Sequence, residues 1–335
     1  MPYEHASLLR EINTYEDTVW AIVAFILECR WNPDGQRIDE TIPVGVGRVF
    51  RKTDGSDVTP DLAIQRRATQ GVVAEVKAAF PPEQAIDRRD EVFRQLKTYD
   101  DDLLRWWGNN GQIERHDIVL LTHDTHVVEA CDHLNGLTGR DIGTFERNLA
   151  ILGFYRTDQR ETFITLRKHS GEFLDPQFGA KLRRGVPIKV VHIEAQQKKF
   201  YDSRPPIPYV LWLLWHLIFP IYTEGCSRDA RKGYTPIEVT KDRVTGDLQR
   251  FYGFEPDDTG NRGTPRSEWV QEALEVLVSL HMAHHGTGQG AYVIRYKGIK
   301  GDTLERFGRL FHERDEIRQR QTRRRGRQPT LFDNI

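Results

Sequence analysis

The segment GVVAEVKAAF, residues 71–80, constrains this chain more than any other. Its flanks, Gly71-Val72-Val73-Ala74 and Ala78-Ala79-Phe80, are small and apolar at successive positions, so a strand built from them needs cover on both faces. Such a strand belongs inside a sheet with helices on its two sides. Glu75 and Lys77 interrupt the run two residues apart and project from one face of it. Asp61 opens the preceding apolar segment, TPDLAIQ. Two readings account for the three charges: alternation on a solvated strand face, or a metal-dependent phosphodiesterase site. Unpaired charge in a central strand is costly, which raises the second reading, but the stretch taken by itself leaves the first ahead.

The surrounding pattern predicts helix, three strands, helix, strand, helix. EDTVWAIVAFILECRW is apolar all round a helix, with Thr14 as its N-cap and Asn32-Pro33-Asp34-Gly35 as its stop. TIPVGVGRVFR, TPDLAIQ and GVVAEVKAAF read as strands separated by the turns KTDGSD and RRATQG. After Pro81-Pro82, EQAIDRRDEVFRQLKTYDDDLLRWW reads as one amphipathic helix ending near Gly108. HDIVLLTH is a strand and DTHVVEACDHLN a helix. LAILGFYRT and TFITLRKHSG form two more strands, which either extend the sheet or bridge to the carboxyl-terminal half.

A length of 335 residues suits about two domains. The Pro-rich stretch YDSRPPIP, residues 201–208, marks the boundary. Beyond it, helical segments precede the hairpin-like GAYVIRYKG, an order expected of a winged-helix-like α+β domain. The expected division is residues 1–200 with the appended β-hairpin, 207–312 for the winged-helix-like DNA-binding domain, and 313–335 as a basic tail.

Charge and cysteine content narrow the classes of function. The formal net charge is −1, so contacts to nucleic acid must come from local patches. Cys29, Cys131 and Cys226 form no C-x-x-C pair, which argues against zinc, an iron–sulfur cluster or a disulfide framework and fits a reducing cytoplasm. The most apolar run, IPYVLWLLWHLIFPIY, is broken by His216 and bounded by Pro208 and Pro220, short of the roughly twenty residues of a membrane span. The amino terminus carries acids and lacks a signal-type apolar core. No membrane association is expected.

If TPDLAIQ and GVVAEVKAAF pair, Asp61 and Glu75 cluster with Lys77. Mg²⁺ takes oxygen ligands and often only one or two protein carboxylates, so Asp61, Glu75 and the carbonyl of Val76 suit it. Lys77 would then orient the attacking water or steady developing charge. These residues resemble the PD-(D/E)XK nuclease superfamily, the restriction-endonuclease-like fold, with Pro60-Asp61 as the first element and Glu75-Val76-Lys77 as the second. QLKTY places Gln95 and Tyr99 four residues apart on one helical face, similar to the Q-x3-Y signature of that superfamily's exonuclease-like branch. The resemblance covers residues 10–135. It implies a restriction-endonuclease-like α/β core and a Mg²⁺-dependent deoxyribonuclease, with Mn²⁺ as a substitute, acting in restriction, phage defence or DNA repair. It also implies a further acid on the first helix, for which Glu16 is the natural candidate and Glu28 and Glu40 are weaker ones. Gln95 and Tyr99 are expected to contact the substrate backbone. The alternative is a non-catalytic DNA-binding or regulatory protein in which this fold has decayed.

Two histidine groups invite a metal reading, but neither has a complete ligand set. His123 and His126 follow a strand, where Asp124 or Thr125 is expected as a helix cap; HMAHH carries His281, His284 and His285 near a helix end. The tail is distinct. Seven arginines lie between Arg314 and Arg327, and Arg323, Arg324 and Arg325 among them form a run suited to phosphate backbones. The last segment, QPTLFD, resembles the short peptide by which bacterial proteins dock on the DNA sliding clamp, with Gln328, Leu331 and Phe332 in the matching positions.

Overall fold

The computed structural model describes residues 5–30, 44–67, 69–104, 113–136, 142, 144–158, 160–196, 199–201, 204–224, 233–252, 265–298 and 303–324. It is a mixed α/β protein. Among the described residues, those from Asp17 to Tyr201 make one compact unit, while those before Asp17 and from Arg204 onward make another.

The first unit is built on strands β1 (Val44–Val46), β2 (Phe50–Lys52), β3 (Asp57–Val58), β4 (Leu62–Arg67), β5 (Gln70–Lys77), β6 (Leu103–Leu104), β7 (Arg115–His123), β8 (Leu149–Asp158), β9 (Thr162–Ser170) and β10 (Val186–Lys189). Its helices are the second half of α1 (His5–Cys29), with α2 (Ile86–Thr98), α3 (Val127–Asn135), α4 (Pro176–Arg184) and α5 (Val190–Glu194). Seven strands form one sheet in the order β1-β4-β5-β7-β8-β9-β10. β5, β7 and β8 run parallel, and the remaining neighbours pair antiparallel. The hairpin from LAILGFYRT and TFITLRKHSG thus extends the sheet.

The apolar run of β5 explains its central place, since residues 71 to 76 are all buried. Val73, Ile118, Leu120 and Ile151 share a core with Val92, Phe93, Leu96 and Tyr99 of the α2 region. That puts the odd-numbered face of β5, which carries Glu75 and Lys77, toward α2. At the other end of the unit a buried ion pair joins β4 to α4. Arg66 donates to Asp175 at 2.8 Å while its guanidinium lies 4.1 Å from the Phe178 ring centre. Asp175 also caps α4, accepting from the backbone N–H groups of Gln177 and Phe178.

Several boundaries depart from the expected ones. TIPVGVGRVFR is not one strand: β1 joins the large sheet, whereas β2 joins β3 and β6 in a separate small one. Gly47 turns the chain between them with φ +61°, a conformation open to glycine, and donates its N–H to the Asp61 carbonyl. α1 starts at His5, so Thr14 lies within the helix instead of capping it. α2 stops at Thr98 instead of continuing toward Gly108. Asp100, Asp101 and Asp102 follow it, and acids at a helix C-terminus oppose its dipole. Asp100 is instead spent on the next layer, accepting from the backbone N–H groups of Glu146 and Arg147 at 2.9 and 2.7 Å.

The second unit contains the first half of α1, α6 (Ile207–Leu213), α7 (Lys241–Tyr252), α8 (Ser267–Ser279) and α9 (Thr303–Arg324). Its strands β11 (Thr235–Thr240), β12 (Ala283–His285) and β13 (Ala291–Tyr296) form an antiparallel sheet in the order β11-β13-β12. The apolar segment following Ile207 is a buried helix that widens to a π-turn over Leu214–Ile218. Among the described residues no helix is long and apolar enough to cross a membrane. TPIEVTKDRVTGDLQRFYG opens with a strand, β11, before its helix; alternate burial at Ile237 and Val239 is the period-2 signal that marks it. α9 carries the first part of the expected basic tail as helix, through Arg324.

Candidate active site

β4 and β5 are antiparallel with Leu62 opposite Ala74, so one residue further Asp61 stands opposite Glu75. Asp61 Oδ2 accepts the backbone N–H of Val76 at 2.8 Å, which ties the start of β4 to the end of β5. Glu75 is 1% exposed. Its two oxygens are held separately: Lys77 Nζ donates to Oε1 at 2.7 Å and the Tyr99 hydroxyl donates to Oε2 at 2.8 Å. Gln95 Nε2 in turn donates to the Tyr99 oxygen at 3.1 Å. The three charges of the hairpin and the helical pair are therefore one connected network.

Its electrostatics are unbalanced. Burial, and then the charge of Glu75, push the Asp61 carboxyl well above its ordinary range; the Val76 N–H and Lys77 oppose this without cancelling it. With both carboxyls ionised, the single ammonium would leave an excess negative charge beside the buried Glu75. A divalent cation would relieve it. The donor set fits Mg²⁺, because two carboxylates suffice when water and phosphate complete the shell. Among the described residues no group of three or more His, Cys, Asp or Glu side chains gathers as a metal site. Any cation held here would use Asp61, Glu75 and backbone oxygen such as the Val76 carbonyl.

Tyr99 occupies a different place from the expected substrate contact. It is 1% exposed, and burial, followed by the charge of Glu75, raises its pKa. It therefore acts as a neutral donor that orients Glu75. His116 supports it from below, its Nε2 hydrogen bonded to the Tyr99 carbonyl at 2.7 Å, and burial pushes the imidazole down to about 4. Gln95 is half-buried. Tyr99→Phe should leave the protein folded and weaken any divalent-cation binding at this site by about 10- to 100-fold, as loss of a ligand's outer hydrogen bond does. Cation affinity within about twofold of the parent, measured by calorimetric titration, would reject this role.

Of the other expected acids, Glu16 is half-buried on α1 and belongs to the second unit, whereas Asp61 and Glu75 belong to the first. Glu28 is buried and paired with Lys181 at 2.5 Å, a structural role. Glu40 lies outside the described residues, as do Arg325, Gln328, Leu331 and Phe332; Arg323 and Arg324 end α9. His123 itself caps the short turn after β7, accepting from the Thr125 N–H, while Asp124 pairs with His169 at 2.9 Å. His284 and His285 are on β12, not on a helix.

One residue had no signal in the sequence. Thr122 is the parallel register partner of Lys77 and points to the same side of the sheet. It is fully buried, and its hydroxyl has no hydrogen-bond partner among the described residues. Nothing in HDIVLLTH separates it from an ordinary strand threonine; only its neighbour across the ladder does.

No protein-family model, no curated protein and no solved structure matches this chain.

Proposed function

We propose that the chain is a Mg²⁺-dependent DNA nuclease, a hydrolase of phosphodiester bonds, with its active site at Asp61, Glu75 and Lys77. The observation that carries this reading is the half-buried Asp61 beside the buried Glu75, with Lys77 bonded to Glu75, an arrangement in which the Asp61 carboxyl keeps its proton unless a cation takes that proton's place. The order α1, β1, β4, β5, α2, β7 supports a restriction-endonuclease-like core, with Asp61 and Glu75 on neighbouring central strands. In the second unit, the succession α6, β11, α7, α8, β12, β13 with sheet order β11-β13-β12 supports a winged-helix-like DNA-binding domain.

Bound Mg²⁺ would supply Lewis-acid polarisation of the phosphoryl oxygen and a lower pKa for the attacking water. The residues of the chain do the rest. Asp61 and Glu75 would hold the cation, and Tyr99 with Gln95 fixes the Glu75 carboxylate in place. Lys77, half-buried at the mouth of β5, orients the incoming water and offsets charge developing on the phosphate. The cellular setting this suggests is restriction, phage defence or repair.

A plasmid-nicking assay in Mg²⁺, in Mn²⁺ and in EDTA tests the reading. Relaxed or linear product is expected with either cation and none with EDTA. Binding without cation-dependent cleavage would instead establish a non-catalytic DNA-binding protein. The carboxyl-terminal Gln328, Leu331 and Phe332 are proposed to dock on the DNA sliding clamp. Deleting residues 328–335 should abolish pull-down of purified clamp; unchanged pull-down discards that contact.

A further inference from the structure

In a winged-helix-like domain the helix before the wing is the one expected to enter a groove of the duplex. Here that helix is α8, and it is ill suited to phosphate. Its outward positions are Glu268, Gln271, Glu272 and Glu275, three of them carboxylates at the edge of a broad depression. Glu275 is further engaged by the Tyr292 hydroxyl at 2.7 Å. Presenting this face to DNA would set like charges against each other.

Cationic groups collect elsewhere in the same unit. A cavity of about 240 Å³ is lined by Tyr234, His281, Arg295, Lys297, Arg314 and the indole of Trp215, with no Asp or Glu in its lining. Arg295 and Lys297 are two residues apart along β13 and its continuation, hence on one face, and both are exposed. Tyr296 between them turns the other way, its ring 5.3 Å from that of Trp215. Trp215 Nε1 donates to the Lys297 carbonyl at 3.2 Å, which fixes the strand end against the buried helix. His281 adopts φ +57°, a left-handed conformation uncommon outside glycine, in the turn that brings it to the lining. Arg295 reaches the His281 carbonyl at 3.4 Å and lies 6.0 Å from the Tyr234 ring centre. Among the described residues, Arg295, Lys297 and Arg314 have no carboxylate partner, in a protein where most buried and many exposed basic groups do. Arg314 is also the first of the seven arginines that run on to Arg327, so the cavity opens where the basic sequence begins.

We infer that this cavity, and not the outer face of α8, is where the second unit holds the phosphate backbone of nucleic acid. Arg295, Lys297 and Arg314 supply the charge and His281 adds a donor. The inference rests on the nucleic-acid substrate of the proposed function, but its test needs no catalysis.

The probe is a fluorescein-labelled duplex of about 20 base pairs and random sequence, titrated by anisotropy in EDTA between about 50 and 200 mM salt. Arg295→Glu with Lys297→Glu should weaken binding by at least about tenfold and reduce the steepness of the log affinity against log salt plot by about 2. Arg314→Glu, on a different element, should act in the same direction, and its thermal midpoint shows whether the fold is kept. Glu272→Gln should change affinity by less than about twofold, because the one charge it removes lies on the α8 face, away from the phosphate. Unchanged affinity and salt slope in the folded double variant would overturn the site. Displacement of the duplex by micromolar ATP would assign the cavity to a free nucleotide and overturn the nucleic-acid assignment. Loss of nicking with this binding intact rejects the nuclease reading alone; intact nicking with no effect of the double variant on binding rejects the cavity alone.

Discussion

Alanine at Asp61, at Glu75 or at Lys77 should each remove Mg²⁺-dependent nicking, by about 10²- to 10³-fold or more, while the protein stays folded. The three substitutions fail for different reasons. Asp61→Ala takes away one of two carboxylates and leaves the Val76 N–H without its acceptor. Glu75→Ala takes away the carboxylate on which Lys77 and Tyr99 both converge, leaving an ammonium and a phenol with no common acceptor. Lys77→Ala keeps both carboxylates and deepens the local negative charge, so cation affinity should hold or rise while turnover falls. That split separates a residue that assists the water from one that holds the metal. Full activity in the purified triple variant, measured by plasmid relaxation against a folded parent, would sink the assignment.

The part of this site visible in the sequence was the part fixed by strand arithmetic. Period-2 spacing set Glu75 and Lys77 on one face, and an apolar run long enough to be central made their charge costly. The helical spacing of Gln95 and Tyr99 put them together, but their role was not legible. Whether a tyrosine points to solvent or to Glu75 depends on how far α2 leans over β5, which no local pattern encodes. Thr122 and His116 were invisible for the same reason, since both matter through neighbours distant in the chain.

The fold shows a similar division. Buried strands announced themselves by composition, whereas boundaries set by charge did not. The stop of α2 before Asp100-Asp101-Asp102 was readable as a dipole effect, yet the apolar Leu103 and Leu104 beyond it prolonged the helical pattern. β1 and β2 look like one strand in the sequence because Val46 and Val49 stand either side of Gly47, whose left-handed turn splits the two strands between sheets. The start of α1 is hidden in the sequence because Thr14 is an acceptable cap in isolation and an acceptable helix residue once its neighbours pack.

Asp61→Asn should abolish cleavage and at the same time make the cation-free protein more stable at neutral pH. The sign comes from the raised pKa. Because burial and Glu75 hold the Asp61 proton more tightly in the folded chain than its ordinary value of 3.8 allows, folding is opposed once the unfolded carboxyl ionises. The penalty is absent below that value, grows as pH rises through the window between the unfolded and folded pKa, and is fully present above it. Asparagine cannot ionise, and its carbonyl oxygen still accepts the Val76 N–H, so it escapes the penalty without losing the tie between β4 and β5. In EDTA at pH 7 the thermal midpoint should rise by roughly 2–4 °C for each kcal/mol recovered, and the gain should vanish toward about pH 3.5. Adding Mg²⁺ should reverse the order. Parent protein gains about 2.7 kcal/mol at a cation concentration of about 100 Kd, because the cation binds only the folded state, while Asp61→Asn gains little. A site kept at a stability cost until its cation arrives predicts this crossing of the two curves, whereas a solvated surface hairpin predicts none. Parallel melting curves in EDTA and Mg²⁺ would return the three charges to ordinary strand alternation.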